Sequence, residues 1–171
     1  DHRDLHSFPT RRSSDLGSIG LYCADIAEYV IGIESVKAAV LDANRNAVIN
    51  GIVNARYICG YAEEILPLYA QGEDEEGCGE LDDDLKGIIA KADIVILDPP
   101  RAGCRKELLE AVINIAPERI VYVSCDPATM ARDIKILCEE GYDFIEATPV
   151  DMFPNTDSVE MVVLLSKTKI R

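Results

Sequence analysis

The sequence predicts an open α/β fold whose strands run mostly parallel and whose last pair is antiparallel. Two observations carry this. Short β-branched runs (YVIGI, ARYIC, DIVIL, RIVYV) each stop at a polar or small residue and lead into a segment with helical spacing. The final two strand-like runs have only a loop between them, so they can join only as antiparallel neighbours. At 171 residues the chain can bury one sizeable core, and a single domain is expected.

Residues 17–27 (GSIGLYCADIA) read as a Gly-containing turn and a short apolar helix, the usual sequel of a first strand in a nucleotide-binding unit. That first strand is missing or replaced. Residues 29–33 form a strand that reaches Glu34, and Ser35 is the expected cap of a helix with Val36, Ala39, Val40, Ala43 and Ala47 on one face. Asn50 and Gly51 mark a turn, 55–59 a strand, and 60–67 a helix stopped by Pro67. Beyond an acidic loop over 71–84, residues 85–91 lead into the strand 93–97, and Leu108, Leu109, Val112 and Ile113 stripe the next helix. The run 119–123 delivers Ser124 and Cys125 to a helix mouth, where Asp126 and Pro127 have the chemistry of an N-cap and first turn. Met130, Ile134, Leu137 and Cys138 follow at helical spacing as core. Strands at 142–150 and 159–166, separated by the loop 151–158, complete the order.

A formal charge of −14 argues against a bare nucleic-acid binder, because phosphate contacts need Lys and Arg. Eight of the acids (Glu73, Asp74, Glu75, Glu76, Glu80, Asp82, Asp83, Asp84) share one Gly-punctuated segment, expected to be a solvated loop, and setting them aside leaves −6. Residues 1–16 (DHRDLHSFPTRRSSDL) show neither helical nor strand period. Within them 6–16 resemble a translated sequencing adapter and are set aside as non-native; the other reading is a polar terminus with Arg11 and Arg12 as a basic arm. No apolar run is long enough to span a membrane, and the six cysteines lack the spacing of a disulfide framework, a zinc site or an iron–sulfur cluster. A reduced, cytoplasmic compartment and no metal are expected.

Ligands bind open α/β sheets at the carboxyl ends of the strands. Glu34 and Cys125 stand at such ends. An acid closing a strand can hold two ribose hydroxyls, or can serve merely as a helix N-terminal carboxylate. Cys125 has helix N–H groups beside it that would favour a thiolate; its alternative is inert packing.

Three segments, DPPRAGC (residues 98–104), SCDPATMARD (124–133) and DMFPNTDSVE (151–160), together resemble the catalytic domain of the RNA (uracil-5-)-methyltransferase family. The resemblance covers 17–167 and implies a Rossmann-like class I methyltransferase sheet with S-adenosyl-L-methionine as cofactor. By it, Cys125 is the nucleophile that adds to uracil C6, and Glu160 the base that removes the C5 proton. Asp98 lies beside the cofactor's methionine end and the target base, Ser18 in the remnant of the glycine loop, Glu34 at the ribose and Tyr61 near the adenine. The implied partner is RNA, ribosomal ahead of transfer RNA.

Departures from the family pattern are specific. Tyr61 stands where Asp or Asn is usual and could stack instead of accepting a hydrogen bond; Asp126 replaces Asn; Asn155 and Ser158 stand where His is common. The residues that open the family's cofactor loop are not recognisable, and Ser13, Ser14 and Asp15 are not substitutes for them. The chain is therefore expected to be a truncated catalytic domain, with the RNA-gripping surface elsewhere in the protein. Cys104 is the competing nucleophile, set aside because the family match falls on Cys125. Arg101 either steadies its loop, meets phosphate or forms an ion pair. Two rivals remain: an amino-methyltransferase using a DPP loop, which would place an aromatic residue where Arg101 stands, and a non-catalytic RNA-associated domain. No oligomeric state follows from the sequence.

Overall fold

The computed structural model describes residues 17–70, 83–152, 155 and 159–169. The expectations for residues 1–16, for the acidic stretch 71–82 and for Phe153, Pro154, Thr156, Asp157 and Ser158 lie outside them. The elements run α1 (Ser18–Cys23), β1 (Val30–Glu34), α2 (Lys37–Ile49), β2 (Ala55–Cys59), α3 (Ala62–Ala70), α4 (Asp83–Ile89), β3 (Ile94–Leu97), α5 (Lys106–Ile115), β4 (Arg119–Ser124), α6 (Pro127–Glu139), β5 (Tyr142–Val150) and β6 (Glu160–Lys167). Where one domain is anticipated, the residues gather into two compact units that part between Ala62 and Glu63.

In the first unit β1 and β2 pair in parallel, from Val30 opposite Ala55 to Glu34 opposite Cys59. α2 buries Ala39, Val40, Ala43 and Ala47, the anticipated face. Val36 does not join them: it is the N-cap and 45% exposed. Ser35 is not the cap either. Its hydroxyl donates to Glu34 Oε1 at 3.2 Å, and the same oxygen accepts from the Val36 amide at 2.7 Å, so the acid that closes the strand also steadies the helix start. Asn44, a polar residue on the buried face of α2, satisfies both backbone groups of Tyr57: its Nδ2 donates to the Tyr57 carbonyl (2.9 Å) and its Oδ1 accepts from the Tyr57 amide (3.0 Å).

Three glycines make room for one ring. A Cβ on Gly17 would lie 2.7 Å from Tyr57 Cε1, and one on Gly20 2.6 Å from its hydroxyl oxygen. A Cβ on Gly32 would collide with the same ring. The Tyr57 hydroxyl donates to the Gly17 carbonyl at 2.7 Å. The Gly-containing turn ahead of α1 is thus explained by close packing against an aromatic side chain.

The second unit holds a sheet ordered β3-β4-β6-β5. β3 and β4 are parallel, while β6 lies antiparallel to both β4 and β5, as the absence of a helix between the last two runs requires. On one face Ile120 and Tyr122 of β4 pair with Leu165 and Val163 of β6, all four without exposed surface. α6 packs on β4 and β5, α5 packs on α6, and Leu109, Val112 and Leu137 are closed off from solvent. Two readings change here. Pro67 lies inside α3, where it gives up the bond its own nitrogen would have donated one turn back without ending the helix. Cys138, expected in the core, is exposed, and the buried stripe of α6 is instead Met130, Asp133 and Leu137. The acidic segment also ends sooner than read, since α4 begins at Asp83.

Candidate active site

Strand pairing brings three of the anticipated residues to one edge. Leu97, the last residue of β3, pairs with Tyr122, so Asp98 leaves the sheet at the carboxyl end of β3 beside that of β4. Between β4 and β6 the last pair is Ser124 with Met161. Cys125 follows directly on Ser124 as β4 ends, and Glu160 precedes Met161 at the start of β6, where it is paired with Val150 of β5. Within the ladder Val123 pairs with Val162 on the side of the sheet away from Tyr122, the side on which Glu160 also falls by alternation along β6. Asp98 follows directly on Leu97 as β3 ends. Asp98 is exposed, and Cys125 and Glu160 are half-buried.

Cys125 is a free thiol held in a tight turn: the Ser124 hydroxyl accepts from the Asp126 amide at 3.0 Å and donates to the Asp126 carbonyl at 3.1 Å. The N–H groups at the mouth of α6 are taken by Asp126, whose Oδ1 accepts from Ala128 (2.9 Å) and Thr129 (3.1 Å). They therefore serve the cap rather than a neighbouring thiolate. The Thr129 amide first, then that of Ala128, with the Arg101 charge adding to them, holds the Asp126 carboxyl below the ordinary carboxylate range. That is the place of Arg101: an exposed residue whose charge falls on Asp126 and whose carbonyl accepts from Thr129 Oγ1 at 2.9 Å.

Cys104 is buried, and burial pushes its thiol up to about 11, so it stays protonated at neutral pH. It lies in the loop between β3 and α5, where its amide donates to Asp133 Oδ2 at 2.7 Å. The Tyr122 hydroxyl donates to the same oxygen at 2.6 Å, and burial together with that bond raises the phenol well above its usual value. Arg132 occupies the other oxygen, Nε at 2.8 Å and Nη2 at 2.7 Å. Sequence reasoning missed this cluster, although a carboxylate at Asp133, three residues after Met130 and four before Leu137, interrupts an apolar stripe and is itself a signal. A groove of about 880 Å³ opens between α5 and α6, bordered by Leu109, Ile113, Asp133 and Ile136; it does not include Cys125 or Glu160.

In the first unit, Glu34 closes β1 half-buried, and Tyr61 lies two residues beyond its register partner Cys59 with 55% of its surface exposed. Ser18 opens α1 and is exposed. Among the described residues no group of His, Cys, Asp and Glu could hold a metal ion, and no helix is long and apolar enough to cross a membrane.

The chain is 47% identical over 155 residues to an uncharacterized RNA methyltransferase of Caldanaerobacter subterraneus subsp. tengcongensis, covering 90% of this chain and 30% of that one. An uncharacterized RNA methyltransferase of Lactobacillus johnsonii is 44% identical over 156 residues, covering 91% of this chain and 31% of the relative. The chain thus spans about a third of the length of the curated relatives it matches. Among solved structures, the Pyrococcus abyssi tRNA (uracil-54, C5)-methyltransferase in complex with S-adenosyl-L-homocysteine superposes with a TM-score of 0.66 at 34% identity, over 89% of this chain and 32% of that one. The fold is that of the Rossmann-like class I methyltransferases. The tRNA (uracil-5-)-methyltransferase family model matches residues 14–168, and the chain belongs to that family.

Proposed function

We propose that the chain is the catalytic domain of an enzyme that methylates C5 of a uridine in RNA, with S-adenosyl-L-methionine as methyl donor. One observation carries the reading: a thiol, Cys125, and two carboxylates, Glu160 and Asp98, stand where three neighbouring strands end or begin at one edge of the sheet. Uracil C5 is a weak nucleophile and carries a proton that must leave. A thiol and a base on opposite sides of one narrow gap meet both needs.

The cofactor's chemistry also fits the side chains present. A nucleoside asks for an acceptor for its ribose diol and a surface for its base. Glu34 offers the acceptor, with Oε1 pinned by the Val36 amide and the Ser35 hydroxyl, and the exposed ring of Tyr61 offers the surface. Ser18 and Asp98 are the further residues assigned to it. When bound, the donor supplies an electrophilic methyl group. The Cys125 sulfur adds to C6, which moves electron density to C5. Once C5 carries four substituents, the Glu160 carboxylate accepts its proton, the C5–C6 double bond reforms, and the thiolate leaves. Asp98 holds the target base against the edge. Neither an amino-methyltransferase nor a non-catalytic RNA-associated domain needs this pairing of Cys125 with Glu160.

The test is covalent trapping. Fluorine at C5 cannot be removed as a proton, so RNA carrying 5-fluorouridine is expected to remain attached through Cys125 in the presence of the donor, and Cys125→Ala abolishes the adduct. Glu160→Gln is expected to slow turnover on ordinary RNA at least about 100-fold while methylated adduct accumulates. Full turnover in either variant overturns the mechanism. Ribosomal and transfer RNA transcripts, run side by side, decide between the two substrates; ribosomal RNA is the proposed one, and the solved P. abyssi relative is the reason to include the other.

A further inference from the structure

A buried carboxylate is costly unless each of its oxygens is paired, and a leucine at the same site would fill a core at no such cost. Asp133 has no exposed surface, and its bonds show where it is needed. Oδ2 holds the Cys104 amide and the Tyr122 hydroxyl; Oδ1 holds Arg132. Arg132 then passes the connection on, its Nη2 donating to the Ala102 carbonyl at 3.1 Å and to the Cys104 carbonyl at 3.4 Å. Thr129, in the first turn of α6, donates to the Arg101 carbonyl at 2.9 Å. Three carbonyls and one amide of the loop after Asp98 are therefore held by the first two turns of a single helix.

The loop cannot yield easily between these points. Pro99 and Pro100 have fixed φ, and the Gly103 amide closes a turn on the Pro100 carbonyl at 2.8 Å. Gly103 has φ 79°, and a Cβ there would lie 2.6 Å from both Arg132 Nη2 and Asp133 Oδ2, so only glycine lets the loop lie this close to the pair. At its other end the same helix starts immediately after Cys125, capped by Asp126. The loop that begins with Asp98 and the turn that carries Cys125 are thus parts of one braced body.

We propose that Asp133, with Arg132 and Thr129, is a positioning residue that sets Asp98 against Cys125 by clamping the 101–104 backbone onto α6. The inference rests on the proposed function of that edge. It makes the placement of Asp98 relative to Cys125 depend on a buried charge network that ties the loop to α6.

The experiment separates clamp from chemistry by using two readouts on Asp133→Asn, Thr129→Val and Thr129→Ser. The first is alkylation of Cys104 by a small maleimide, followed by peptide mass mapping; the buried thiol is expected to be protected in the parent protein and to label at least about 10-fold faster once the loop is released. The second is the rate of adduct formation on 5-fluorouridine RNA, expected to fall about 100-fold in Asp133→Asn and about 10-fold in Thr129→Val, since small misplacements of reacting groups cost that much. Thr129→Ser keeps the hydroxyl that bonds the Arg101 carbonyl and should keep both readouts at the parent values, which a merely structural loss would not produce. If Asp133→Asn does not fold, Thr129→Val decides alone. Cys104 remaining protected in the variants overturns the clamp. A freed Cys104 with an unchanged adduct rate overturns the positioning role while leaving the enzyme reading intact. A parent protein that forms no adduct overturns the enzyme reading and the positioning role together, with the Cys104 labelling still reporting on the clamp.

Discussion

The two units hold their loops by different means. In the first, the turn before α1 rests on the fit of a single ring: Tyr57 sits where Gly17, Gly20 and Gly32 leave space, with one hydroxyl bond to the Gly17 carbonyl. In the second, the loop after β3 is held by a charge network in which Asp133, Arg132, Tyr122 and Thr129 share its backbone groups among them. Shape complementarity is non-directional and tolerates small rotations, whereas a set of hydrogen bonds to consecutive backbone groups fixes both place and angle. The directional device is found at the edge where covalent chemistry is proposed. The fitted ring is found where a turn has only to pack.

Substitutions break this contrast at graded cost. The largest stability loss is expected from Leu109→Ala, which empties a fully enclosed site beneath the second unit's sheet and should cost about 2–5 kcal/mol in denaturant unfolding. Gly32→Ala attacks the first unit by size: the new methyl group must displace the Tyr57 ring, at about 1–3 kcal/mol. A Gly32→Ala protein as stable as the parent would show that the ring has slack and that fit is not what holds the turn. Tyr57→Phe keeps the fit and removes only the bond to the Gly17 carbonyl, so a smaller loss of about 0.5–1.5 kcal/mol is expected. The smallest effect belongs to Asp126. Its carboxyl is held below the ordinary range in the folded chain, so the stabilisation it gives is present above the unfolded carboxylate value near about 3.9 and is lost as pH falls through the folded one. Asp126→Ala should lower stability at neutral pH and flatten the acid limb of a stability–pH profile; an unchanged acid limb would remove the cap from the account.

Much of this architecture is legible in residue order. The β5 boundaries coincide with the anticipated strand, because Gly141 at φ 97° and the turn after Val150 punctuate it on both sides. The antiparallel end follows from loop length alone. Other expectations yield to contacts that no local pattern reveals. Ser35 has the chemistry of a cap, yet Glu34 beside it reaches the Val36 amide with a carboxylate, the stronger acceptor. Helical spacing groups Cys138 with Met130 and Leu137, but Cys138 lies on the exposed side of the turn whose Leu137 is buried. Asp133 reads locally as an ordinary solvated helix charge, and its partners come from the loop after β3, from Tyr122 of β4 and from Arg132 beside it.

Sequence by itself determined the alternation of strands and helices, the strand-end positions of Asp98 and Cys125, and, through three linked motifs, the family. Those features depend on local period and on residues read in order. Tertiary structure alone decided that the strand opened by Glu160 pairs with the one that leads to Cys125, that Asp133 joins the loop to the helix, and that Cys104 keeps its proton. The physical reason is the same in each case. Register, burial and hydrogen-bond partnership are relations between segments far apart in the chain, and they take definite values only when strands pair and water is excluded.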